Sequence, residues 1–390
     1  MRKRRILVMG FMGSCPIAGV LWQHLHYIVG LQRLGHEVYY VEDSARYPYD
    51  PTSLNTSQDC TYAVATLRDL AKAFGFEDHW AYCARFLSNP ESYGLDLARL
   101  RELYRGADAI LNLCGAQELN EDLIQSERLI YVESDPGVEQ IKIAQNDDDA
   151  RTYLSSHRVL FSFGENISRS QFPVPLDGFL WLPTRQPVVT SFWTTDSTPP
   201  ASAVFSTVAN WSTRGQKDCT WDGHTYVWSK SENFLRFVDA PIAAGETLEL
   251  AADIPESSIT HLFRGKGWRL KSPYDLSVDK ELYQRYIQGS RGEFTVSKEN
   301  YVRLNTGWFS DRSACYLAAG RPVITQETGF TRLYGGEKGL FAFSELEDIR
   351  EAAAKIRADY DVHSRAAFAI AEEFFEAEKV LASLLDRAGV

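Results

Sequence analysis

"RRILVMGFMGSCPIAGVLWQHLHYIVGLQRLGHEVYYVED", residues 4–43, decides the fold. Ile6 to Met9 is a continuous apolar run of strand length, entered from arginines and left at Gly10. A strand that is apolar at every position is buried on both faces, the pattern of a parallel sheet covered by helices. A glycine loop follows, Gly10 to Gly19. Leu21, Leu25, Ile28, Leu31 and Leu34 then recur at helical spacing until Gly35 stops the helix. "HEVYYVED" is the next strand and ends in acids. Strand, glycine loop, helix and strand make the opening unit of a doubly wound α/β domain. A basic start and a small residue before Cys15 imitate an export signal, but Arg2 to Arg5 read better as the polar lead into this first strand.

The alternation continues. "TYAVATLRDLAKAFGF" and "LDLARLRELYRGAD" are amphipathic helices, and "AILNLCG", "LIYVESDPG" and "RVLFSFGEN" are strands ending in polar turns. "NDDDA", 146–150, reads as a solvated loop. Six prolines crowd residues 173–200, which suits a linker on the surface. A second α/β series then begins. "SAVFSTVANW" is a strand, "YVWSKSENFLRFVDAP" a helix ended by Pro241, and "TLELAAD" a strand. "DKELYQRYIQGS" is a helix, "GEFTV" a strand, "DRSACYLAAG" a helix and "PVITQ" a strand. The tail from about 345 to 388 is nearly all helix.

With 390 residues the chain exceeds one ordinary core, so two domains are expected. The net charge of −11 argues against a partner that presents a phosphate backbone, and nucleic acid is not expected. No stretch approaches the ~20 apolar residues of a membrane span. The six cysteines form no C-x-x-C pair, so they read as reduced thiols of a cytoplasmic protein rather than as metal ligands.

"SDRSACYLAAGRPVITQETGF", 310–330, concentrates the chemistry. Ser310 is placed to cap a helix beginning at Asp311, and Arg312 adds a planar cation beside the first-turn N–H groups. That combination favours an anion such as a phosphate. The next strand ends at Gln326, so the turn Glu327-Thr328-Gly329 falls at a carboxyl strand end, where ligands of open parallel sheets sit. Capping and ordinary turn chemistry account for the same residues with no ligand at all.

"GWFSDRSACYLAAGRPVITQETGF" resembles the donor-binding segment of GT-B glycosyltransferases, with its polar cluster, helix, A-x-G-x-P-V and glycine turn. "CPIAGVLWQHLHYIVGLQRLGHEVYYVED" resembles their opening loop, helix and strand. The resemblance implies two Rossmann-like doubly wound domains facing across a cleft, with a C-terminal helix crossing back to the first domain. Residues 1–180, with a helix at about 365–390, would form the acceptor domain and 185–364 the nucleotide-sugar domain. It implies sugar transfer from a UDP- or dTDP-sugar to a hydroxyl of a small-molecule acceptor, with no metal and no cofactor beyond the nucleotide-sugar co-substrate. Many retaining members carry two glutamates eight positions apart before A-x-G-x-P-V. Gly307 and Cys315 stand there in this chain, so the stereochemical outcome stays open.

Within that frame Arg312, Ser310, Asp311, Ser313, Lys298, Gly13 and Gly19 are candidates for the diphosphate. Glu327, Thr328 and Gly329 are candidates for sugar or ribose, and Trp308 for stacking. An inverting transfer needs a base near the acceptor. Asp135, in the "ESDPG" turn, is the first candidate, and His24 and His26 follow. Each has a plainer role, as turn former, surface cation or packed ring. Two other functions fit the same outline. An epimerase or hydrolase of nucleotide-sugars would release nucleotide and a changed sugar without any acceptor. A two-domain clamp without chemistry would more often be exported, with its N-terminus cleaved.

Overall fold

The computed structural model describes residues 2–169, 172–195, 199–200, 202–212 and 218–390. The opening run forms β1 (Arg5–Met9), and Ile6, Leu7, Val8 and Met9 have no exposed surface. Helices cover both faces, which is why the run is apolar throughout rather than alternating. Among the described residues the first sheet has eight strands. After β1 come β2 (Glu37–Ser44), β3 (Trp80–Ala84), β4 (Glu91–Gly94), β5 (Ala109–Leu113), β6 (Leu129–Glu133), β7 (Val159–Ser162) and β8 (Trp181–Pro183). Their spatial order is β8-β7-β6-β5-β1-β2-β3-β4. All neighbours are parallel except β3 and β4.

The second sheet is built from β9 (Phe205–Val208), β10 (Leu248–Ala251), β11 (Trp268–Lys271), β12 (Gly292–Thr295), β13 (Val323–Gln326) and β14 (Leu340–Phe343). Its order is β11-β10-β9-β12-β13-β14, parallel throughout. Numbered within the sheet this is 3-2-1-4-5-6, the doubly wound order of dinucleotide-binding folds. The first sheet repeats it and adds strands at both edges.

Several elements differ from the sequence reading. The proline-rich 173–200 segment is not all linker: Trp181–Pro183 is an edge strand, and Thr190–Trp193 is a helical turn. Residues 196–198 lie outside the described residues. The stretch read as one helix, 226–241, holds a helix only at Ser231–Arg236, and Pro241 opens a further helix, Ala240–Ala244, instead of ending one. Proline fits there because a first-turn N–H has no helical partner to lose. "NDDDA" is not a loop. Asp147 caps the helix Asp148–Ser155 by accepting from the Ala150 N–H.

The chain passes between the sheets twice, side by side. Val188 donates its N–H to the Phe375 carbonyl (2.6 Å), and Ala377 donates to the Val188 carbonyl (2.9 Å). The final helix, Ala377–Arg387, then packs on the first helix, Ala18–Arg33, through Leu381 and Gly30. Side chains also tie the halves together. Trp22 Nε1 donates to the Lys280 carbonyl (3.0 Å) and Trp308 Nε1 to the Ser134 carbonyl (2.8 Å).

Gly30 makes the returning helix possible. A Cβ there would stand 2.6 Å from Leu381 Cδ1 and 2.8 Å from Ala377 Cβ. Gly30→Leu is therefore expected to cost about 1–3 kcal/mol through overpacking, despite leucine's better helix propensity. Urea unfolding checks this, and an unchanged midpoint would mean that the final helix does not dock as described.

Candidate active site

In open parallel sheets, ligands sit beyond the carboxyl strand ends where the strand order reverses. That point lies between β1 and β5 in the first sheet and between β9 and β12 in the second. The loops leaving these strands face each other across a cavity of about 390 Å³. Phe11, Ile17 and Cys114 come from one side, Ala209, Asn210 and Lys298 from the other. The helix Asp311–Ala318 brings Ser310, Asp311 and Arg312 to the wall. Ser310 is the N-cap in position, but its side chain makes no capping bond. A second cavity of about 510 Å³ adjoins the first and shares Cys114, Ser134, Asp135 and Trp228 with it.

Three cationic side chains meet in the first cavity, and the protein treats them differently. Arg312 is tethered. Its Nε donates to buried Glu293 (2.5 Å), Nη1 to the Val208 carbonyl (2.6 Å) and Nη2 to Thr295 Oγ1 (3.0 Å). Lys298 pairs with Asp135 (2.5 Å) and lies 3.8 Å over the Trp228 ring. Lys230 is 8% exposed and sits 5.9 Å from the Trp308 ring centroid. Among the described residues no carboxylate or hydrogen-bonding group pairs with its amino group. Burial, and next the charge of Arg312, hold its pKa well below the ordinary lysine value. Aromatic faces accommodate a cation without neutralising it. The charges of Glu293 and Asp135 reach it only at a distance and do not outweigh these effects; an anion against the amino group would favour its charged form.

The acids divide in a similar way. Burial opposes ionisation of Asp135, but the charge of Lys298 and hydrogen bonds from Lys298, Tyr301 and Ser134 outweigh it and lower its pKa. Asp311 goes the other way. Burial first and the charge of Asp135 second push its pKa up to about 7, and its Oδ1 has no partner. A carboxyl that titrates near neutrality inside a cleft can hold or release a proton at working pH.

Asp135, Lys298, Ser310, Asp311, Arg312 and Gly19 thus line one cavity, and Trp308 joins them. Others are placed elsewhere. Gly13 gives its N–H to Glu42, which also accepts from Ser14, so these two residues turn to a buried carboxylate while Phe11, Ile17 and Gly19 of the same loop face the cavity. Ser313 is fully buried within its helix packing. Thr328 Oγ1 donates to the Trp308 carbonyl (2.5 Å), and the Gly329 N–H is taken by Glu327. The 327–329 turn therefore supports Trp308 from behind, away from the lining. His24 is fully buried, with Nδ1 2.8 Å from the Val20 carbonyl, and desolvation lowers its pKa to about 4. His26 reaches the cavity edge, but it accepts the Val189 N–H (3.1 Å) beside the interdomain crossing, and burial holds its pKa to about 3.

Lys230 and Trp228 were not singled out from the sequence, because both fell inside the over-long helix. The signals were present. Asp222-Gly223 is a hairpin turn dipeptide, and both residues have positive φ (48° and 74°) between strands Cys219–Trp221 and His224–Tyr226. Ser229 and Ser231 mark a helix start after that hairpin, not at Tyr226.

No protein-family model matches the sequence, and neither does any curated protein. Solved structures do match over the whole length. AviGT4, a glycosyltransferase involved in avilamycin A biosynthesis, is 12% identical with a TM-score of 0.57, covering 99% of this chain and 97% of its own. An alpha-glucosyltransferase bound to UDP and a 13-mer DNA is 12% identical with a TM-score of 0.60 over 100% of both chains. HepE from Anabaena, in complex with UDP and glucose, is 12% identical with a TM-score of 0.52, covering 98% of this chain and 100% of that one. The chain therefore has the GT-B fold, two Rossmann-like halves facing across a cleft. The exclusion of nucleic acid drawn from net charge does not stand, since a protein of this fold is bound to DNA. A whole-chain charge of −11 does not report the field inside a cleft carrying Lys230, Lys298 and Arg312.

Proposed function

We propose that the chain is a glycosyltransferase that moves a sugar from a nucleoside diphosphate donor, UDP- or dTDP-linked, to a hydroxyl of a small acceptor. Lys230, without a direct anionic partner and converging with Lys298 and Arg312 at the reversal point of the second sheet, carries this reading. The diphosphate meets these cations, and they stabilise the charge that develops as it leaves. No metal is needed for that role. The adjoining cavity receives the acceptor, with Asp135 at the junction. The bond between the anomeric carbon and the phosphate oxygen breaks, the bond to the acceptor oxygen forms, and the hydroxyl proton passes to Asp135. UDP bound to two proteins of the same fold supports a nucleotide of this class. Six cysteines with no C-x-x-C pair suit a reducing cytoplasm.

Calorimetric titration with UDP and dTDP tests the reading. At least one should bind with a Kd of about 1–100 μM. If both bind no better than about 1 mM, the assignment fails.

A further inference from the structure

Resting on the nucleotide-sugar reading, we infer that Asp135 is an internal counter-ion that the donor diphosphate displaces from Lys298, so that donor binding itself frees the carboxylate for the acceptor. Two of the three cations are paired with carboxylates. Arg312 is neutralised by Glu293, which has no exposed side-chain surface and lies within the second sheet. Arg312 reaches the cavity but Glu293 does not, so an anion that took Glu293's place would strand a buried carboxylate. Lys298 is neutralised across the cleft by Asp135, whose side chain is 44% exposed. Of the two, the Asp135 pair is the one an incoming anion can open.

The geometry gives the exchange a direction. Lys298 borders the first cavity, whereas Asp135 borders both. Trp228 holds the Lys298 ammonium at 3.8 Å, so the lysine stays in place when its partner leaves. Tyr301 and Ser134 still hydrogen-bond Asp135, so the carboxylate stays at the junction. Once phosphate oxygens share the Lys298 charge, Asp135 loses its strongest stabiliser and becomes a better proton acceptor. Without donor it is masked, and an acceptor entering first finds no base. Donor binds first, and its diphosphate switches the acceptor side on.

Titrating UDP into D135N tests this, or dTDP if that is the nucleotide the wild type prefers. Asparagine can still accept from Tyr301 through its amide oxygen and donate its NH2 to Ser134 Oγ, but it offers Lys298 no charge. D135N is expected to bind the nucleotide about fivefold or more tightly than the wild type. In a K298M background the same change is expected to have no effect. Unchanged or weaker binding by D135N overturns the inference, and so does a gain that persists in K298M. If D135N does not fold, D135S is held to the same two outcomes. A wild type that binds neither nucleotide overturns the donor reading instead, so the two failures are distinguishable.

Discussion

Lys230→Met is expected to weaken UDP binding about ten- to a hundredfold while leaving the fold as stable as the wild type or more so. The two halves of that expectation share one cause. Burying an amino group without an anionic partner costs stability, and methionine removes the cost while keeping an apolar side chain of similar length in the buried position. In the complex the same amino group would meet phosphate oxygens, a charge-assisted contact worth about 1.5–3 kcal/mol. Arg312 is a poorer probe. Its removal strands the Glu293 carboxylate, whose Oε2 already lacks a partner, and breaking such a buried pair costs about 3–5 kcal/mol by itself. Calorimetry and thermal melting on the same Lys230→Met sample decide the matter. Lost stability with unchanged affinity would make Lys230 a structural residue and remove the main support for the anion site.

Replacing Asp311 should change stability in a way that depends on pH. Its folded pKa of about 7 lies above the ordinary aspartate value of 3.8, so the folded state holds this proton more tightly than the unfolded chain does. Ionising Asp311 therefore opposes folding. The penalty is absent below pH 4, grows between pH 4 and 7, and is constant above. At about 1.4 kcal/mol per pH unit the ceiling is on the order of 4 kcal/mol, reduced because the residue as a whole is only half-buried. D311N cannot ionise. It is expected to match the wild type in urea at pH 5 more closely than at pH 8, where it should be the more stable protein. UDP affinity should follow the same group: the wild type loses affinity as pH rises through 7 and an anion appears beside the diphosphate, and D311N does not. A stability difference that is the same at both pH values would mean that Asp311 titrates as an ordinary surface carboxylate.

Both changes fall within a few residues of each other in space, but only one of the two was visible before the fold was known. Asp311 and Arg312 belong to a local pattern, a polar helix start before a buried apolar run, and a pattern of that kind needs only neighbours in sequence. Lys230 needed a hairpin, a short helix and Trp308 from a distant segment to become a site. Asp135 was chosen as a strand-end carboxylate, but its pairing with Lys298 spans 163 positions.

The sequence by itself determined the alternation of β1, the glycine loop, the first helix and β2, because apolar periodicity and glycine stops act over a few residues. It also determined the doubly wound class, since parallel strands joined by helices admit few topologies. The tertiary structure decided the rest. Edge strands such as β4, with exposed or half-buried residues, are made by pairing and have no strong pattern of their own. The 327–329 turn was aimed at a ligand by its sequence position, and long-range hydrogen bonds turned it to support Trp308 instead. Gly13 of the glycine loop was drawn onto Glu42 in the same way. Which cation stays without a direct partner is likewise a property of the folded cleft, because pairing depends on distance in space and not on separation along the chain.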